Sequence, residues 1–113
     1  MTVAAYIPNL MDRSRVAAAA EALGLEIDFA STATDLDRSA ALILVDLSSP
    51  GIIDVLAAAP PDNTGRLVGF ASHVDRQLLR RGREVGCDQV LARSAFFGRL
   101  PAILAAAPPT GDG

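Results

Sequence analysis

Apolar positions fall in short runs separated by turn residues. Thr2–Ile7 is an apolar run closed by Pro8-Asn9, which predicts a first strand. The stretch "DRSRVAAAAEAL", Asp12–Leu23, is rich in helix formers and meets Gly24 where a helix would stop. Leu25–Ala30 alternates as a second strand, and "STATDLDRSA" predicts one short helix or an irregular crossing. Leu42–Val45 is continuously apolar, the pattern of a strand covered on both faces. Ile52–Ala59 reads as a helix ended by Pro60-Pro61, "DNTG" as a turn, and Arg66–Phe70 as a fourth strand. "HVDRQLLRRGREVG" is amphipathic, with Val74, Leu78 and Val85 on one face and Arg76, Arg80 and Arg83 on another. Gln89–Ala92 makes a fifth strand, Ser94 is placed to cap a last helix through about Ala106, and "PPTGDG" is a frayed tail.

Five strands alternating with helical segments imply one α/β domain, residues 1–107 with a disordered tail at 108–113: a three-layer, doubly wound parallel sheet. In such sheets, binding groups gather beyond the carboxyl ends of the strands, where the strand order switches. Asp46, Ser72 and Arg93 each stand just after such a strand.

Composition narrows the chemistry. Half of the 113 residues are hydrophobic but only 4% are aromatic, so the core must be layered from Ala, Val, Leu and Ile. The net charge of −3 disfavours a nucleic-acid partner on electrostatic grounds, and no apolar run is long enough for a membrane span or a leader, so a cytoplasmic location is expected. One cysteine, Cys87, excludes an internal disulfide and a multi-cysteine metal site. All ten basic residues are Arg, and the absence of Lys removes Schiff-base chemistry.

The segments "LILVDLSSPGIIDVL" and "VGFASHVDRQLLRRGREVGCDQVLARS" resemble the response-regulator receiver (CheY-like) family over roughly residues 2–106. The resemblance implies a flavodoxin-like sheet of order 2-1-3-4-5. It places Asp46 at the phosphoacceptor position, Ser72 (or Ala71, with a gap) at the switch hydroxyl, and Arg93-Ser94 at the family's Lys-Pro. The match fails after the first strand: the two adjacent acids that hold Mg²⁺ in receivers correspond to Ile7 and Pro8, and Asp12 comes a helical turn too late. Phosphoryl transfer to a carboxylate depends on a cation to neutralise the oxygens. Arg93, a planar fork in place of a compact ammonium, is suited instead to a bidentate pair with Asp46.

These residues point to a non-enzymatic, cofactor-free and metal-free pseudo-receiver in which Asp46 is held by Arg93 and Ser72. Such a module would signal through a protein partner, or a second copy, on the face made by the helix before strand five, strand five and the last helix. Arg76, Arg80, Arg83 and Phe97 are the candidate contacts. Alternatives are an active receiver using Asp46 and a small-ligand or enzymatic flavodoxin-like domain, the latter disfavoured because "IPNLMDRS" has no glycine to cradle a phosphate. Simpler roles stand beside each: Asp46 as a cap for the next loop, His73 as a cap or surface residue, Cys87 as a small packed apolar group, and the arginines as a solvated helix face. Of Phe96 and Phe97, adjacent on a helix and so about 100° apart, at least one must enter the core.

Overall fold

The strand with the most continuous apolar pattern takes the centre of the sheet. In the computed structural model, which describes residues 2–58 and 65–105, β1 (Val3–Tyr6), β2 (Ile27–Phe29), β3 (Leu42–Asp46), β4 (Arg66–Ala71) and β5 (Gln89–Ala92) pair in parallel in the order β2-β1-β3-β4-β5. Every residue of β1 and β3 is buried. Register sets Tyr6 beside Val45, Asp46 beside Phe70 and Ala71 beside Ala92, so the carboxyl ends of the strands meet along one rim. The chain moves outward from β1 to β2 and then back across to β3, which puts the switch in strand order between β1 and β3, next to Asp46.

Alternation along the strands feeds two apolar layers. On one face Val3, Ala5, Leu42, Leu44, Val68 and Phe70 pack against Val16 and Ala20 of α1 (Leu10–Ala22) and against Phe96, Leu100 and Leu104. These last three come from α4 (Arg93–Gly98) and α5 (Leu100–Ala105). On the other face Ala4, Ile43, Val45 and Leu67 meet Ile52 and Leu56 of α2 (Ile52–Ala58), Ala33 of a 3₁₀ turn at Ala33–Asp35, and Leu78 and Leu79 of α3 (Arg76–Glu84). Gly82 lets α3 lie close to the sheet, since a Cβ there would stand 2.6 Å from Leu47 Cδ1.

Strand ends shift by one or two residues from the sequence pattern, and the helix boundaries that differ do so for local reasons. Helix α1 starts at Leu10 and not Asp12, because the Asn9 side chain accepts the Asp12 N–H at 3.0 Å and caps it. Helix α3 starts at Arg76 behind Asp75, whose carboxylate accepts the Leu78 N–H at 3.1 Å. Val74 is left outside the helix and 74% exposed, so the apolar stripe consists of Leu78, Leu79 and Val85 without it. Ser94 does not cap the last helix: α4 begins at Arg93, and Ala92 in the cap position makes no side-chain bond. The segment then breaks at Arg99, because Pro101 has no N–H to offer the carbonyl of Phe97. The "DNTG" turn, apart from Gly65, the helix end at Ala106 and the tail at 108–113 lie outside the described residues. Among the described residues, no helix is long and apolar enough to cross a membrane.

Cys87 packs, half-buried, against the α2–α3 layer, and burial, aided by the charge of Asp88, pushes its thiol from an ordinary 9.0 up to about 11. Alkylation of Cys87 at pH 8 is expected to run about a hundredfold slower than that of a free thiol, as two units of lost thiolate demand. The folded value is raised, so this group's stabilising contribution is complete below pH 9 and lost as pH climbs towards 11; urea melts across that range test the sign. Gly65→Ala is expected to destabilise by about 1–3 kcal/mol, measured as a lower urea midpoint, because its Cβ would lie 1.8 Å from the backbone oxygen of Ala40.

Candidate functional site

Asp46 ends β3 on the rim and is 8% exposed. Its Oδ1 accepts both the Ser48 N–H at 3.0 Å and the Ser48 hydroxyl at 2.7 Å, while its backbone oxygen accepts the Ser49 N–H at 3.0 Å. The loop from Leu47 to Gly51 is thus wound around this carboxylate, an Asx-type turn whose closing Gly51 takes a φ of 80°. Tyr6 ties the same loop to β1 by donating its hydroxyl to the Pro50 carbonyl at 3.4 Å. The capping role is therefore present, and Oδ2 of Asp46 has no hydrogen-bond partner among the described residues.

Arg93 turns to a different acid from the one expected. Its Nη2 donates to Oδ1 of Asp12, forming the one ion pair among the described residues, and not to Asp46. The hydrogen bond to Asp12 holds the guanidinium protonated above its ordinary range, against the opposing effect of burial, and the charges of Asp12 and Asp46 act in the same direction. Asp46 is thus an electrostatic neighbour of Arg93 without being its partner. Asp12 reaches this place because it lies on the buried stripe of α1, with Val16 and Ala20. Only 2% of Asp12 is exposed, and its Oδ2 is buried without a hydrogen bond. The i, i+4, i+8 spacing of these three residues is the signal in the sequence that sets Asp12 on the buried face.

Ser72 stays apart from both. It is exposed, and its Oγ accepts the Val74 N–H at 3.4 Å, a local turn that leads to Asp75. His73 beside it is exposed as well. At the two positions where the receiver resemblance calls for acids, Ile7 is 1% exposed within the α1-side core, and Pro8 is exposed. Among the described residues no three His, Cys, Asp or Glu side chains cluster.

Around the corner from the rim, Arg76, Arg80 and Arg83 are all exposed on α3, and none has an acidic partner among the described residues. Phe96 enters the core and stacks on Phe70, centroids 4.2 Å apart. Phe97 is half-buried, edge-on to Phe70 at 5.6 Å and Phe96 at 5.1 Å, and its ring carries the guanidinium of Arg15 at 3.9 Å and that of Arg93 at 5.2 Å.

Neither a family model nor a curated protein matches this sequence. Solved structures do. A response regulator from Hahella chejuensis is 17% identical, with 99% of this chain and 98% of that one covered at a TM-score of 0.77. A LuxR family DNA-binding response regulator from Silicibacter pomeroyi is 22% identical, covering 97% and 98% at 0.68, and a response regulator receiver domain from Rhodospirillum rubrum is 17% identical, covering 92% and 91% at 0.70. A five-stranded parallel sheet of order 2-1-3-4-5, its switch point beside an aspartate that ends the central strand, and these neighbours together give one conclusion: the chain has the fold of response-regulator receiver domains.

Proposed function

We propose that this chain is a receiver-like signalling module that acts by binding another protein, in the cytoplasm, and does not accept a phosphoryl group on Asp46 by the Mg²⁺-dependent route. One observation carries the reading: the position next to Asp46 where receivers place a metal-holding acid is occupied by Ile7, a core residue. Mg²⁺ requires near-octahedral oxygen ligation, with one or more carboxylates. Here Asp46 gives one oxygen to Ser48, and Asp12, the nearest candidate replacement, is already bonded to Arg93. This donor set does not fit the ion. A dianionic phosphodonor approaching Asp46 would meet a single, partly neutralised guanidinium instead of a divalent cation.

The contact surface of the module is the α3, β5 and α4 face. Arg76, Arg80 and Arg83 at i, i+4 and i+7 present three like charges, an arrangement that costs helix stability and is relieved by an acidic partner. Charge complementarity favours a different protein or the acidic surface of a second copy. The arginines set the encounter rate more than the final affinity.

Intact mass after incubation with acetyl phosphate and Mg²⁺ is expected to show no phosphate-sized gain, in the wild type as in Asp46→Ala. A gain requiring both Asp46 and the metal would identify a working receiver and overturn the reading. Millimolar Mg²⁺ is likewise expected to leave the melting temperature where EDTA leaves it, since an ion bound to the folded state would raise it. Arg93→Ala should cost about 1–3 kcal/mol in urea unfolding by leaving the Asp12 carboxylate buried and unpaired, and Arg93→Ala combined with Asp12→Asn should recover part of that loss.

A further inference from the structure

A cleft of about 460 Å³ opens between the first turns of α1 and the start of α4, lined by Arg15, Arg93, Ser94, Phe97 and Gly98. Its volume falls in the range of small-ligand sites. It differs from the Asp46 rim in its charge. Arg93 is balanced by Asp12, but Arg15 has no carboxylate partner among the described residues, so the cleft keeps an unbalanced positive charge in a chain whose net charge is −3. Two guanidinium groups sharing one phenyl ring repel each other, and a bound anion would remove that cost.

The geometry adds a second requirement. The Arg15 guanidinium lies 3.9 Å from the Phe97 centroid, within stacking distance, and Phe97 is fixed from below by Phe70 and Phe96. A flat cationic plate stacked on a fixed ring is a platform for a further planar group. Its N–H donors make no hydrogen bond among the described residues, and Arg93 uses only Nη2 on Asp12, which leaves it donors to spare. The Ser94 hydroxyl completes a set of donors suited to phosphate oxygens.

We infer that this cleft binds a nucleotide, its phosphate bridged by Arg15, Arg93 and Ser94 and its base stacked on the Arg15–Phe97 pair. The cleft shares Arg93 with the surroundings of Asp46 but is not lined by Asp46 itself, and its test does not depend on phosphorylation there.

The test is calorimetric titration at fixed low salt with adenosine or guanosine monophosphate, with the matching nucleoside and with inorganic phosphate as separate probes, paired with amide shift mapping. A monophosphate is expected to bind and to shift amides of α1 and α4, with the nucleoside and phosphate each at least about tenfold weaker, because each keeps only one of the two contacts. Arg15→Ala should weaken the monophosphate by about tenfold or more, the loss of one charge-assisted contact. Phe97→Leu, which keeps an apolar side chain over Phe70, should weaken the nucleotide while leaving inorganic phosphate unchanged. Absence of monophosphate binding, binding unchanged in Arg15→Ala, or inorganic phosphate binding as tightly as the nucleotide would each overturn the inference. If an acidic protein segment shifts these amides while neither monophosphate does, the cleft is a protein contact and the nucleotide assignment fails.

Discussion

A parallel sheet has to be covered on both faces, and nearly every other feature of this molecule follows from meeting that condition with small side chains. Two of the central strands, β1 and β3, are buried at every position, and β1 contributes Ala4 and Ala5 where larger residues would hold the helices away. The close approach of α3 over Gly82 belongs to the same economy of space, as does concentrating aromatic bulk in one place, the Phe70, Phe96 and Phe97 cluster under α4. Burial of this kind is non-directional and stabilises in proportion to area, so it specifies layers far better than it specifies chemistry at the rim.

At the rim the forces become directional. Asp46 and Asp12 are the buried polar residues of the described core, and each has one carboxylate oxygen bonded in its own way: Asp46 by a hydroxyl and a backbone N–H of its own loop, Asp12 by the guanidinium of Arg93 at the start of α4. A buried carboxylate left without such partners would cost more than most single contacts contribute. The Asp12–Arg93 pair therefore ties the start of α1 to the start of α4, just after β5, across the side of the sheet that carries the aromatic cluster. Its position also orients Arg93 over Phe97, linking the ion pair to the cleft beside Arg15.

The frame and the rim of this fold rest on different interactions. The frame depends on period-two burial in strands and on short connections, both of which tolerate substitution among apolar residues. The site depends on a few charges at defined points. Ile7 continues the apolar core by one residue beyond β1, while at the rim Asp46 bonds to Ser48 and Asp12 to Arg93.

The fold was legible in the sequence because the unbroken apolar run in "AALILVD", the helix formers in "RVAAAAEAL" and the stops at Gly24 and Gly86 are local signals. The sequence by itself placed Asp46 at the end of a buried strand and required one of the two adjacent phenylalanines to go inward. Tertiary structure decided which acid Arg93 would meet, that Ser72 would serve only its own turn, and that Arg15 would lie over the Phe97 ring beside a cleft. The physical reason is range. Periodicity is written along the chain, while an ion pair between residues 12 and 93 depends on how α1 and the start of α4 lie against the sheet.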